Sequence, residues 1–388
     1  MHIVDVTMFY AGESGGVKRY LGAKQQWLRA LKRFRHTLLV PGTHDGFDDA
    51  LETVTVRSPR LPFANGYRLP LGQRKWAHHL RALRPSLIEV GDPYQLAWMA
   101  QRVGWECDVP VVGFYHSDLP RLVGMRFGPV AARLAERYVA DLYQRFDLVL
   151  APSRTMVERL QALGVDQAAQ QRLGVDTDCF APERRDPDLR AELGLAAASR
   201  LLIYVGRFSR EKNLPLLLAA MRRLGKGYQL LLVGSGNDLP RQSNVHCLPY
   251  EPTPARLARL LASCDALVHP GDKETFGLIV LEAMACGLPV VGMAAGGVAE
   301  LVDEQVGLLA RPGSTGALAE AIAGLFERDR RALRLNARAR AETYAWDTVL
   351  AQLLYRYQTL ALHHGGLEGF ASAPSVPLGA YGSARRED

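Results

Sequence analysis

Arg200-Leu-Leu-Ile-Tyr-Val-Gly206, running directly into Arg207-Phe-Ser-Arg-Glu-Lys-Asn213, reads as a buried strand that ends on glycine and opens into a basic loop. The pattern continues downstream. Apolar runs at Gln229 to Val233, Ala266 to His269, Pro289 to Gly292 and Gly307 to Leu309 alternate with amphipathic stretches, as a parallel sheet with crossover helices requires. Upstream, a second series comprises His2 to Met8, Thr37 to Val40, Val54 to Arg57, Leu87 to Val90, Val109 to Tyr115 and Leu148 to Ala151. Its first helix carries Val17, Tyr20, Leu21, Trp27, Leu28, Leu31 and Phe34 on one face. Two α/β units follow from the two series. The segment Gly174 to Gly194 holds Pro182, Pro187 and the mixed charges Glu183 to Asp186, as a connector should. The expected domains are 1–180 and 181–345. A last helical pattern, 346–362, is expected to pack back on the first domain, and the Gly-, Ser-, Ala- and Pro-rich tail 365–388 to be disordered.

The composition agrees with this division. A chain of 388 residues suits two or three domains, and 48% hydrophobic with 22% charged residues is the profile of a globular protein, not of a coiled coil or a disordered chain. No run approaches the ~18 apolar residues of a membrane span, and the N-terminus lacks the plan of a signal peptide. A cytoplasmic protein is expected. Cys107, Cys179, Cys247, Cys264 and Cys286 are odd in number and widely spaced, which favours reduced thiols over disulfides or a zinc site. The net charge of +7 is unevenly spread: Val17 to Pro85 holds 14 basic and 4 acidic residues. An anionic partner is therefore expected, such as a phosphate substrate or an anionic membrane surface. Nucleic acid is not, because no basic patch is interleaved with aromatic residues.

Three loops could carry chemistry. Gly12-Glu-Ser-Gly-Gly-Val17 joins the first strand to the first helix, where Gly15 and Gly16 let backbone approach a ligand and the helix start favours an anion. It is neither GxGxxG nor a P-loop, so dinucleotide oxidoreductases and P-loop ATPases lose support. Gly206, Arg207 and Lys212 follow a strand at its carboxyl end, where open α/β sheets bind ligands, and two cations on one loop suit a diphosphate. In Gly271 to Pro289, Glu274 and Glu282 stand eight positions apart, about two turns if the helix begins near Phe276. The N–H groups of Phe276, Gly277 and Leu278 lie between them and could hold a phosphate.

This combination resembles the retaining glycosyltransferases of family 4, over roughly residues 2–362. Further matches are Gly174 to Phe180, Gly234-Ser-Gly236, Gly296-Gly297 followed by Glu300, and Tyr344-Ala-Trp346. The resemblance implies the GT-B fold, two Rossmann-like doubly wound parallel-sheet domains facing a central cleft. It implies that Arg207 and Lys212 neutralise a donor pyrophosphate, Glu274 bonds sugar hydroxyls, Glu282 holds the ribose, and Gly277 and Leu278 donate backbone bonds to phosphate. It assigns Gly15 and Gly16 to a loop closing over the donor phosphate, and His116, in Phe114-Tyr-His-Ser-Asp118, to the transferred sugar. His116 also stands at the carboxyl end of an apolar strand.

The expected reaction moves a hexose from a nucleotide diphosphate, GDP-mannose or a UDP-hexose, to an acceptor hydroxyl with retention, in glycolipid, polysaccharide or glycoconjugate synthesis. No cofactor or metal is expected. Asp176-Thr-Asp178 has the spacing of a metal motif, but lies in the interdomain element rather than at a strand end. The acceptor is a sugar, a lipid-linked or a small molecule. The helix carrying Lys18, Arg19, Lys24, Arg29, Lys32 and Arg33 is the expected docking face on an anionic membrane, which would make the protein peripheral at the inner face. The alternatives are a GT-B enzyme that epimerises or hydrolyses a sugar nucleotide without transfer, and a noncatalytic basic protein that binds membrane or nucleic acid.

Overall fold

The computed structural model describes residues 1–11, 15–61, 66–196, 198–209, 212–236 and 242–364; the tail 365–388, residues 12–14 of the glycine loop and Arg210-Glu211 lie outside them. Two sheets organise the chain. The first contains β1 (His2–Val6), β2 (Arg35–Gly42), β3 (Gly46–Asp48), β4 (Thr53–Arg57), β5 (Leu87–Val90), β6 (Val111–Phe114), β7 (Leu148–Ala151) and β8 (Ala168–Gln170). Their order is β3-β4-β2-β1-β5-β6-β7-β8. All neighbours run parallel except β3 against β4, which forms an antiparallel edge.

The second sheet contains β9 (Arg200–Val205), β10 (Tyr228–Val233), β11 (Val245–Leu248), β12 (Ala266–His269), β13 (Val290–Met293) and β14 (Gly307–Ala310). It is parallel throughout, in the order β11-β10-β9-β12-β13-β14. Strand order reverses between β9 and β12, and in the first sheet between β1 and β5. Crevices open at such reversals, because the crossover helices on either side lie on opposite faces of the sheet. Gly15 and Gly16 beyond β1, Arg207 and Lys212 beyond β9 and Glu274 beyond β12 all border one of these two crevices.

The central strands are buried on both faces, which is why they read as continuous apolar runs rather than alternating ones. Three strands stand outside the runs found in the sequence. β3 and β8 have 3 residues each, and β11 is half-buried along its whole length, so none leaves a clear pattern. The chain passes between the lobes twice, and the two passages pair: Val175 N–H donates to Tyr344 O (2.9 Å) and Trp346 N–H to Val175 O (3.2 Å). Beyond the second passage the final helix, Trp346–His364, lies against the first lobe. Gln171 Nε2 donates to Val349 O (3.2 Å) and Arg356 Nη2 to Gln170 O (3.1 Å).

Candidate active site

β9 ends at Val205, and Gly206 follows with a φ of 154°, in the region that side chains disfavour. A Cβ at Gly234 would fall 1.9 Å from Gly206 O, so the loops after β9 and β10 touch only because both positions are glycine. Arg207 lies on the surface of this loop. Lys212, at its far end, pairs with Glu274 of the loop after β12. Asn213 Nδ2 joins the same two loops, donating to Pro270 O (3.3 Å) and Asp272 Oδ1 (3.0 Å). Burial pushes the Glu274 carboxyl upward, but Lys212, then His269 and lastly Arg207 bring it below its ordinary value. Arg207, Lys212 and Glu274 thus form one electrostatic unit across the β9–β12 crevice. His269, the last residue of β12, belongs to it as well: its Nε2 lies 3.6 Å from Glu274 Oε1, and burial lowers its pKa. The sequence reading did not single out His269, although a histidine closing an apolar strand just before Pro270-Gly271 is the same signal that marked His116.

The helix after Glu274 begins at Leu278, not near Phe276. Gly277 caps it with a φ of 104°, and Phe276 is buried against the core. The first N–H groups of such a helix have no intrahelical acceptor. Gly296 and Gly297 press on this turn: a Cβ at either would fall 2.5 Å from Glu274 O or Phe276 Cα, and Gly297 N–H donates to Glu274 O (2.8 Å). Glu282, about one turn into the helix, is buried rather than exposed. Its Oε1 accepts from Arg19 of the first lobe, and its Oε2 is buried with no hydrogen-bond partner among the described residues. Burial raises its pKa against the pull of Arg19.

From the first lobe, Gly15 caps the helix Gly16–Ala30, and a Cβ on Gly16 would stand 2.9 Å from Leu278 Cδ1. His116 follows β6. Its ring stacks on Phe114 at 4.1 Å and lies 5.4 Å from the Tyr20 ring. Burial, reinforced by the Lys24 charge, lowers its pKa to about 3, so the imidazole is neutral at physiological pH. His116 Nε2 is a buried nitrogen without a partner among the described residues. Thr275 Oγ1 donates to His116 O (2.9 Å), Arg121 Nη2 to Asp272 O (3.2 Å), and Glu300 accepts from Arg154 N–H (2.9 Å) and Thr155 N–H (2.8 Å). These bonds hold the two crevices face to face.

The docking helix needs correction. Lys24 is not on the surface but fully buried: its Nζ donates to Asp5 Oδ1 and Tyr357 Oη (both 2.8 Å) and lies 3.2 Å from Glu89 Oε1. Tyr20, Lys24 and Leu28 follow one another at four-residue spacing, which puts all three on the sheet-facing stripe. Arg19 is occupied by Glu282. Asp176, the first acid of the metal-like motif, accepts from the N–H groups of Asp178 (3.1 Å) and Cys179 (2.9 Å), a turn-forming role. Among the described residues no group of three His, Cys, Asp or Glu side chains could hold a metal ion.

Comparison with known proteins places this cleft in context. Residues 186–342 match the family model for glycosyl transferases group 1, and residues 14–169 that for glycosyltransferase family 4. The chain is 34% identical to a GDP-mannose-dependent alpha-mannosyltransferase of Mycobacterium tuberculosis, over 86% of this chain and 90% of the relative. It is 30% identical to a GDP-mannose-dependent alpha-(1-6)-phosphatidylinositol dimannoside mannosyltransferase of the same species, over 93% and 97%. Among solved structures, Anabaena HepE in complex with UDP-glucose superposes with a TM-score of 0.72 at 22% identity, over 92% of this chain and 100% of that one.

Proposed function

Because the chain belongs to the family 4 glycosyltransferases and has their GT-B fold, we propose that it transfers a hexose, mannose first among the candidates, from a nucleotide diphosphate to an acceptor hydroxyl with retention. The observation that carries this reading is the Arg207–Lys212–Glu274 unit at the β9–β12 crevice, facing His116 across the cleft. As the bond between the anomeric carbon and the diphosphate oxygen breaks, negative charge grows on that oxygen. Arg207, Lys212 and the N–H groups at Leu278 would stabilise it. The acceptor oxygen attacks from the same face, and its proton passes to the departing phosphate oxygen. Glu274 would orient the sugar hydroxyls, Glu282 would exchange Arg19 for the ribose, and the neutral His116 would donate or accept one hydrogen bond near the anomeric carbon. Gly206 and the neighbouring ends of β10 and β11 would take the base through backbone contacts. On this reading the cations do the work of a divalent ion, and no metal is required.

A membrane-borne acceptor is the reading of the other substrate. The helices Leu119–Phe127 and Pro129–Tyr143 begin three residues after His116 and expose Leu122, Phe127 (71%), Val130 (71%) and Leu134. Arg126, Arg133 and Arg137 stand among them with no carboxylate partner among the described residues. Apolar side chains flanked by free arginines suit an anionic bilayer surface at the cytoplasmic face. No helix among the described residues is long and apolar enough to cross a membrane. The similarity to a mannosyltransferase named for a phosphatidylinositol dimannoside supports the same choice.

The test is a thermal-shift panel of GDP-, UDP- and ADP-sugars, where a ligand at 100 times its Kd adds about 2.7 kcal/mol. It is followed by transfer to lipid extracts with EDTA present, with anomeric analysis of the product. Stabilisation by one nucleotide sugar and an α-linked product are expected from an α-linked donor. An inverted product, or activity abolished by EDTA and restored by Mg2+, would overturn the corresponding part of the mechanism.

A further inference from the structure

Away from the cleft, a cavity of ≈ 730 Å³ opens between the segment that enters the second lobe and the helix Arg330–Glu342. Arg185, Arg330, Arg331, Arg334 and Arg338 all line it. Its acids do not balance them. Asp265 is engaged by Arg190 (2.8 Å) and by Leu201 N–H (2.8 Å), and reaches Arg330 only at 3.9 Å. Glu342 accepts from Arg338 (2.8 Å), which is otherwise spent on the carbonyls of Thr177, Phe180 and Ala285. That leaves Glu183, which lies exposed at the rim. Arg185 and Arg331 have no carboxylate partner among the described residues, and Arg334 makes only long bonds to the carbonyls of Cys264 (3.4 Å) and Ala262 (3.5 Å). Burial, and after it the Arg185 charge, lower the Arg334 pKa. Like charges gathered around one cavity repel one another unless an anion joins them.

We propose that this cavity is a binding site for a small oligophosphate, held by Arg185, Arg331 and Arg334. Guanidinium forks match phosphate oxygens in pairs, and three of them require a ligand with several negative groups. The volume is that of a small-molecule site. Arg338, in the cavity wall, also holds residues 177–180, so the ligand would bind where the chain passes from one lobe to the other.

Calorimetric titration with inorganic tripolyphosphate at about 0.15 M salt tests the site, because surface charge alone is largely screened there. The Arg207→Ala/Lys212→Ala protein serves as the host, so that the cleft does not contribute. Saturable binding of one tripolyphosphate per chain is expected. Arg185→Gln/Arg331→Gln should weaken it by roughly tenfold or more; both residues are exposed, so the melting temperature should hardly change. Glu183→Gln, which removes the rim carboxylate, should tighten it. Absence of saturable binding in the host, or equal affinity in the Arg185→Gln/Arg331→Gln variant, would overturn the proposal.

Discussion

The two crevices that face each other across the cleft are built differently. At the β9–β12 reversal the charges Arg207, Lys212 and Glu274 stand on loops above an interior that is apolar but for His269 and, one turn into the following helix, Glu282. At the β1–β5 reversal the charges are inside. Asp5 of β1 and Glu89 of β5 are bridged by Lys24, with His36 on Asp5 (2.9 Å) and the hydroxyls of Tyr20 and Tyr357 on Glu89. A charge at a rim is available to a ligand. A charge under a sheet end is committed to holding elements together, here three strands, the first helix and the final helix. The difference separates binding from positioning within one family of charged residues.

Lys24→Met should produce the largest effect and a purely structural one. It leaves two buried carboxylates without their common cation, a loss of about 3–5 kcal/mol readable by urea denaturation. Next, Arg207→Ala or Lys212→Ala should lower turnover by roughly 10². Loss of the exposed Arg207 should leave stability nearly unchanged, and Lys212→Ala should cost less than Lys24→Met, because it strands one largely buried carboxylate rather than two fully buried ones. A Lys212→Ala protein that is destabilised as much as Lys24→Met would erase the distinction between the crevices. Arg19→Ala sharpens it from the cleft side. Glu282 is then free for a ligand without displacing an ion pair, so GDP or UDP, whichever the panel selects, should bind several-fold tighter by calorimetry, on the order of 1 kcal/mol.

The smallest effect concerns pH. The folded pKa of His116, about 3, lies below the ordinary 6.5, so its contribution to stability is complete above pH 6.5 and is lost as pH falls toward 3. Burial raises Glu89 and Asp92 to about 6, with the opposite sign, so the comparison must be made between variants. Between pH 7.5 and 5, His116→Asn should lose less melting temperature than the parent, by about 2–4 °C.

The rim charges were legible in the sequence and the buried ones were not. Arg207, Lys212 and Glu274 sit in short motifs at strand ends, where topology alone dictates a cleft, and buried Glu282 lies one turn into the helix that follows. Of these, only the pairing of Glu282 with Arg19, across 263 positions, lay beyond reach. By residue type alone Lys24 counts as one more surface cation. Its four-residue spacing from Tyr20 and Leu28 pointed inward, and Asp5, placed inside an apolar strand, was the partner waiting for it. The parallel strands were legible because burial on both faces makes them uniformly apolar. β3 and β8 lacked the length for that, and half-buried β11 the contrast.

The bonds that align the lobes at Thr275, Arg121 and Glu300 run from a side chain on one side to main-chain atoms of residues 116, 272, 154 and 155 on the other, with the Thr155 hydroxyl adding a side-chain bond to Glu300 (2.7 Å). A peptide group is present whatever residue occupies the position. Exchanging the side chain of Arg154 or Asp272 should therefore leave the registration of one lobe on the other intact, because only their main-chain atoms take part.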